Sequence, residues 1–274
     1  MSDDRTGHDA WAPKQIAERV EAVGIRKARA DLLSVLTLSV LAGAFIAMGG
    51  AFYAVTVTGS ELGPGPTRLL GGLTFSLGLI LVVVAGAELF TGNNLVAIAW
   101  VSRRITAGEL LRNWVLVYVG NVLGALATAV LVVLSDVDSL ADGGVHDTVT
   151  KIGLAKTSLE PLEAFARGVG CNALVCLAVW LSIGARSVSD KILAVILPVA
   201  AFVALGFEHC VANWFFLPWA CGLGTLELDA AVFRNLGIVT LGNIVGGTIL
   251  VAGVYWLAYL RPGIGSGSGS EPRR

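Results

Sequence analysis

Two short polar strings cut into otherwise apolar stretches of membrane length: Glu88-Leu-Phe-Thr-Gly-Asn-Asn94 and Glu208-His-Cys-Val-Ala-Asn213. A carboxylate, an imidazole and several carboxamides in hydrocarbon are costly unless they line a polar path or satisfy one another. Their matching places in the two halves of the chain predict a pseudo-symmetric transporter or channel.

The membrane assignment rests on composition and spacing. Of the 274 residues 55% are hydrophobic and only 14% are charged, against ~25% charged in soluble domains. Runs of about 20 apolar residues read as spans. They fall near residues 32–58, 67–102 (interrupted at 88–94), 109–134, 160–183, 191–219 (interrupted at 206–213) and 235–260. The expected fold class is therefore an all-α integral membrane protein with six transmembrane spans, of which the second and fifth are broken helices. A net charge of -1 carries no nucleic-acid signal.

Arg19, Arg26, Lys27 and Arg29 precede the first span, Arg103, Arg104 and Arg112 separate the second and third, and Arg186 and Lys191 join the fourth and fifth. Arg261 follows the last. The positive-inside rule then places both termini in the cytoplasm. Residues 1–30 are expected to form a cytoplasmic amino-terminal arm with a helix from Pro13 to Ala30, residues 31–262 the six-span channel domain, and residues 263–274 a flexible cytoplasmic tail. The first apolar run begins after about thirty polar or amphipathic residues, so no cleaved signal segment is expected. The four cysteines read as packing residues without disulfides.

The halves repeat. Glu88 and Asn121 of Gly120-Asn-Val-Leu-Gly-Ala125 are 33 residues apart, and Glu208 and Asn243 of Gly242-Asn-Ile-Val-Gly-Gly247 are 35 apart. Three spans per half is an odd number, so the halves enter the bilayer with opposite topology, and their breaks meet near the midplane.

The strings AELFTGNNL (87–95), GNVLGAL (120–126), CNALVCLAVW (171–180), GFEHCVANWFFLP (206–218) and LGNIVGG (241–247) resemble those of the formate/nitrite transporter family of anion channels. The resemblance covers about residues 32–260. It implies an aquaporin-like protomer with its own pore, a homopentamer, and residence in a bacterial plasma (inner) membrane.

Site expectations follow from the residues and the resemblance together. His209 is the one histidine inside an apolar span, and the resemblance makes it the central pore histidine, suited to exchanging a proton with an anion. Thr91 in the other break is its counterpart across the pore, and Asn172 is placed on the same pathway. Glu88 and Glu208, with Asn93, Asn94 and Asn213, read as loop scaffold, the carboxylates accepting from loop N–H groups. Lys156, just outside the fourth span, is expected to face the outer vestibule and draw anions to its mouth. The resemblance places apolar constrictions at Phe75, Leu79, Leu89, Val175 and Phe202, where bulky side chains gate by dewetting.

The expected activity is passage of small monovalent weak-acid anions. Formate is preferred, with nitrite or hydrosulfide as the alternative, and protons and lipid are the other partners. Departures from the family pattern at Cys210 and Trp214 lie beside the site. No cofactor or metal is expected: a zinc hydrolase wants three protein ligands, and the membrane part offers one histidine and two carboxylates in different halves. An intramembrane enzyme is thus a remote alternative, and a neutral-solute channel would carry paired Asn-Pro-Ala boxes that this chain lacks.

Overall fold

In a computed structural model, residues 10–262 can be described, and among them every regular element is helical. The tail expected at 263–274 and the first nine residues of the arm lie outside the described residues.

The helices are α1 Pro13–Ala28, α2 Leu32–Val57, α3 Pro64–Ala85, α4 Phe90–Asn93, α5 Ala97–Val101, α6 Ala107–Leu134, α7 Gly144–Thr157, α8 Pro161–Gly184, α9 Val188–Ala204, α10 Cys210–Gly222, α11 Ala230–Val245 and α12 Val254–Tyr259. A 3-10 turn, Asn94–Val96, joins α4 to α5, and a π-helical segment, Gly246–Gly253, joins α11 to α12. Among the described residues five helices are long and apolar enough to cross a membrane: α2, α3, α6, α8 and the continuous run Ala230–Tyr259. Their outward faces keep Leu33, Phe52, Val115, Leu181 and Ile249 exposed, the surface a helix shows to lipid or to a neighbouring subunit.

The two polar strings occupy gaps between helices. α3 stops at Ala85 and α4 begins at Phe90; α9 stops at Ala204 and α10 begins at Cys210. Each gap contains a glycine in the left-handed region, Gly86 at φ 85° and Gly206 at φ 72°, where a Cβ would clash with its own backbone. The Gly-x-Glu spacing at 86–88 and 206–208 is thus a backbone requirement as much as a polar motif.

The halves pack alike. α6 lies against α2, and α11 against α8. A Cβ on Gly124 would collide with the Val40 carbonyl oxygen, and one on Gly246 with that of Val169, so these glycines set how closely the helices approach.

Two elements depart from expectation. Residues 144–157, read as part of a loop, form α7, with Val145, Val149 and Gly153 buried along one face. The helix of the arm ends at Ala28 rather than Ala30, and it buries Ile16, Ala17, Val20 and Gly24 against α5, α8 and α12. It is part of the packed body, because its apolar stripe has a partner surface there.

Candidate functional site

The first break is held by side chains. The Asn121 carboxamide on α6 accepts from the Phe90 N–H at 2.8 Å and donates to the carbonyls of Ser39 (2.8 Å) and Glu88 (2.9 Å). The Glu88 carboxylate accepts from Asn93 Nδ2 at 2.7 Å and from Lys27 Nζ at 3.1 Å. Lys27 also donates to Asn93 Oδ1 at 2.8 Å, Asn93 donates to Asn113 Oδ1 at 3.1 Å, and Asn113 donates to the Lys27 carbonyl at 3.0 Å.

The second break repeats this arrangement group by group. Asn243 on α11 accepts from the Cys210 N–H at 2.9 Å and donates to the carbonyls of Gly168 (2.8 Å) and Glu208 (2.9 Å). Glu208 accepts from Asn213 Nδ2 at 2.7 Å and from Lys156 Nζ at 3.0 and 3.1 Å. Lys156 reaches Asn213 Oδ1 at 2.7 Å, Asn213 donates to Asn235 Oδ1 at 2.7 Å, and Asn235 donates to the Lys156 carbonyl at 2.8 Å. Among the described residues no buried side-chain nitrogen or oxygen of these clusters is left without a partner, which hydrocarbon surroundings demand.

Between the breaks lies a waist. Phe75, Leu79, Leu89, Val175 and Phe202, the five residues expected to constrict the path, line one cavity of about 10 Å³ together with His209, Ile46 and Val199. That volume is close to the ~10–15 Å³ needed to hold a single water. The Phe202 and His209 rings lie nearly parallel at 6.1 Å between centroids, and Phe75 meets Phe202 edge-on at 5.7 Å.

The imidazole has a defined tautomer. His209 is the N-cap of α10, and its Nδ1 accepts from the Ala212 N–H at 3.1 Å. An accepting Nδ1 carries no proton, so in the neutral ring the proton is on Nε2. Nε2 is 3.0 Å from Thr91 Oγ1, which therefore accepts from it. His209 and Thr91, predicted as counterparts from separate halves, are in direct contact.

A larger cavity of about 410 Å³ lies beside the first break, with Trp11, Lys27, Glu88, Leu89, Val179 and Lys191 among its lining residues. Leu89 belongs to both cavities and so stands between them.

Other expected residues sit differently. Asn172 lines neither cavity: it is fully buried and donates to Asn94 Oδ1 and to the Asn243 carbonyl, both at 2.7 Å, tying α8 to both halves. Asn94 completes that tie by donating to the Phe90 carbonyl at 3.3 Å. Lys156 lies on α7 with a side chain only 14% exposed. Its ammonium is enclosed by Glu208 and Asn213, because a cation this buried needs a paired carboxylate. The carboxylates of Glu88 and Glu208 take their hydrogen bonds from side chains, and the first N–H of each restarting helix, on Phe90 and Cys210, goes to Asn121 and Asn243 instead.

Lys27, Asn113 and Asn235 were not singled out from the sequence, and Asn121 and Asn243 were read only as repeat markers. Lys27 was hidden among the basic residues before the first span. The signal that could have found it is its pairing with Glu88, repeated by Lys156 and Glu208.

The sequence profile described as "Formate/nitrite transporter" matches residues 14–257. The chain belongs to the formate/nitrite transporter family. Among its relatives, this transporter is 40% identical over 273 residues to "Formate channel FocA" of Escherichia coli (strain K12), covering 92% of this chain and 96% of that one. It is also 40% identical over 272 residues to "Probable formate transporter" of Methanothermobacter thermautotrophicus, covering 93% and 99%. The solved structure "Pentameric formate channel with formate bound" superposes with a TM-score of 0.78 at 41% identity, covering 84% of this chain and 98% of that one. "FNT family ion channel" gives a TM-score of 0.81 at 30% identity, covering 89% and 98%. The transporter is thus a multi-pass membrane protein whose relatives are channels and transporters, not enzymes.

Proposed function

We propose that the chain is a channel for small monovalent weak-acid anions, formate first, with His209 and Thr91 at its narrowest point. The observation that carries this reading is the waist of about 10 Å³, walled by apolar side chains except for the His209 ring. An anion reaching it must shed water, and the apolar walls offer nothing in exchange. A neutral acid of the same size passes far more easily.

The proton for that conversion can come from His209. The resting ring holds its proton on Nε2, so delivery requires the imidazolium, formed when Nδ1 releases the Ala212 N–H and takes a proton. Nε2 then passes its own proton to the anion, leaving neutral histidine and neutral acid. Among the described residues no carboxylate pairs with the ring. Imidazolium and arriving anion would therefore be each other's counter-charge. Lys27 and Lys156, each held by its glutamate, serve as the two flanking cationic positions, and Phe75, Leu79, Leu89, Val175 and Phe202 exclude water and bare ions. Glu88, Asn93, Asn94, Glu208, Asn213 and Asn172 keep the interrupted backbone in place.

The architecture that goes with this function has six spans, α3 with α4 and α5 as the broken second and α9 with α10 as the broken fifth. The repeats are inverted, both termini are cytoplasmic, and the membrane is the bacterial inner one. The division into an arm (1–30), a channel domain (31–262) and a tail (263–274) is kept, with α1 docked on the channel domain. By kinship with a structure described as a pentameric formate channel, five protomers assemble, each with its own pore.

Flux into proteoliposomes tests the reading. Formate should pass fastest, nitrite and hydrosulfide next, each faster at the lower of two pH values, and His209→Phe should abolish that pH dependence. Formate flux that is independent of pH, or a His209→Phe variant with wild-type pH dependence, would refute the protonation step.

A further inference from the structure

The turn between α5 and α6 is closed by an arginine where glycine is the ordinary choice. The Arg103 N–H bonds the Trp100 carbonyl and the Arg104 N–H bonds the Ala99 carbonyl, both at 2.8 Å. This is the pair of bonds that ends a helix through a left-handed residue, and that residue is Arg103, at φ 59°. After α9 and α10 the left-handed residues are Gly206 and Gly224, and after α6 it is Asp136, a residue type that enters this region more readily than arginine. A Cβ here strains the backbone, so the side chain at 103 supplies something that glycine would not. Orienting the chain in the membrane does not require it, because that depends on the charge of the whole loop, and Arg104 stands beside it.

The surroundings leave this charge uncompensated. Among the described residues neither Arg103 nor Arg104 has a carboxylate partner. Glu109, the acidic residue in the first turn of α6, is taken by Arg29 Nε at 2.9 Å and by the Thr106 N–H at 2.7 Å. Arg29 also donates to the Arg104 carbonyl at 3.0 Å, which brings a third guanidinium to the turn. From the other side Trp256 Nε1 donates to Ser102 Oγ at 3.1 Å, and the Arg261 N–H bonds the Trp256 carbonyl at 3.0 Å, so the end of α12 adjoins it. Trp100 is exposed and Trp256 half-buried, and tryptophans at a helix end mark the headgroup level of a bilayer. From that level Leu257, Val254 and Leu250 form an exposed apolar stripe at helical spacing.

We infer that the α5–α6 turn and the end of α12 bind a phospholipid with a net negative headgroup, its phosphate at Arg103 and Arg104 and an acyl chain along Leu257, Val254 and Leu250. A guanidinium fork suits phosphate oxygens, and the stripe suits a hydrocarbon tail. In the topology proposed above the turn meets the cytoplasmic leaflet, whose surface is negative. The binding rests on neither that topology nor the channel reading.

Native mass spectrometry of the detergent-solubilised full chain, titrated with phosphatidylglycerol or with phosphatidylcholine of the same acyl chains, counts the lipid retained. Phosphatidylglycerol should be retained preferentially. Arg103→Gly and Arg104→Gln should each weaken its retention about fivefold, the factor for one basic residue at an anionic membrane surface, and Arg104→Lys should keep most of it. Arg112→Gln removes an exposed arginine whose guanidinium lies on the Ala30 carbonyl at 3.2 Å, and should change retention less than twofold. Without lipid, Arg103→Gly should raise the midpoint of thermal unfolding, since it relieves the backbone, so that its weaker retention is not the mark of a damaged fold. Equal retention of the two lipids, retention unchanged in both Arg103→Gly and Arg104→Gln, or an equal loss in Arg112→Gln overturns the proposal. A lower midpoint for Arg103→Gly would overturn the argument from strain. Displacement of phosphatidylglycerol by soluble glycerol 3-phosphate at equal concentration would make this a site for free phosphate esters and overturn the lipid assignment.

Discussion

The two helix breaks share one scaffold and differ at its centre. In each, a glutamate is held by a lysine and an asparagine five residues on, and a second asparagine from a crossing helix caps the restarting one. At the position just before the restart, however, the first break has Leu89 and the second His209, and both line the waist. The scaffold is duplicated because each interrupted backbone exposes the same donors and acceptors. The central residue is not: Leu89 has no polar atom to offer, whereas His209 takes the Ala212 N–H with Nδ1 and meets Thr91 with Nε2. The leucine leaves α4 without a side-chain cap, and α4 runs only four residues before tightening into a 3-10 turn; the imidazole caps α10, which runs thirteen. A single position thus separates a hydrophobic plug from a polar contact while the surrounding network stays constant.

The equivalence of the scaffolds can be broken most severely at their caps. Asn243→Ala leaves the Cys210 N–H and the Glu208 carbonyl without that partner, at about 1–3 kcal/mol per buried group, and takes the second donor from the Gly168 carbonyl, which keeps its hydrogen bond within α8. Asn121→Ala does the same to Phe90, Ser39 and Glu88. Thermal unfolding of the solubilised protein should show large and similar losses for both. A loss confined to one variant would mean that the two breaks do not depend on the same scaffold.

The ion pairs should separate the halves. Lys156 and Glu208 have side chains 14% and 7% exposed, against 28% and 14% for Lys27 and Glu88. Lys156→Met should therefore cost about 3–5 kcal/mol, the range for orphaning a buried charge, and Lys27→Met less. Adding Glu208→Met to Lys156→Met should recover part of the loss. Equal losses for the two lysines would show that the difference in burial carries no energetic weight.

His209→Leu makes the second break a copy of the first. Losing the cap should cost about 0.5–2 kcal/mol, read as a lower midpoint of thermal unfolding. Formate flux should fall about tenfold or more and lose its dependence on pH. Unchanged flux would mean that a leucine suffices at both positions and that the asymmetry has no functional content.

Thr91→Val should have the smallest effect. It deletes the acceptor facing His209 Nε2 with little change of shape, at about 0.5–1.5 kcal/mol, and should reduce flux severalfold with the pH profile retained. Loss of the pH dependence in this variant would instead make the hydroxyl an obligatory part of proton delivery.

Much of this was legible in the chain itself. The breaks at 88–94 and 206–213 stand out because carboxylates and carboxamides in apolar runs have so few physical excuses. The Gly-Asn-x-x-Gly pairs at 120–124 and 242–246 carry both a close helix approach and a capping amide. α7 was harder to see because Lys151, Lys156, His146 and Asp147 interrupt its apolar stripe, although Val145, Val149 and Gly153 keep a spacing of four. Lys27 was read as a topological charge because nothing local distinguishes it from Arg26.

By itself, then, the sequence determined that the chain is helical and membrane-embedded, that it has two polar interruptions, and that one of them carries a histidine. Those properties depend on local hydropathy and on the cost of polar atoms in lipid, which a single stretch of sequence contains. Only the tertiary structure decided which partners meet. Lys27 lies 61 residues from Glu88, Lys156 lies 52 from Glu208, and Thr91 lies 118 from His209. It also decided that Lys156 is enclosed by Glu208 and Asn213, and that Asn172 meets Asn94 and the Asn243 carbonyl. Such pairings are set by how whole helices cross, and a hydrogen bond between distant segments leaves no periodicity in either one.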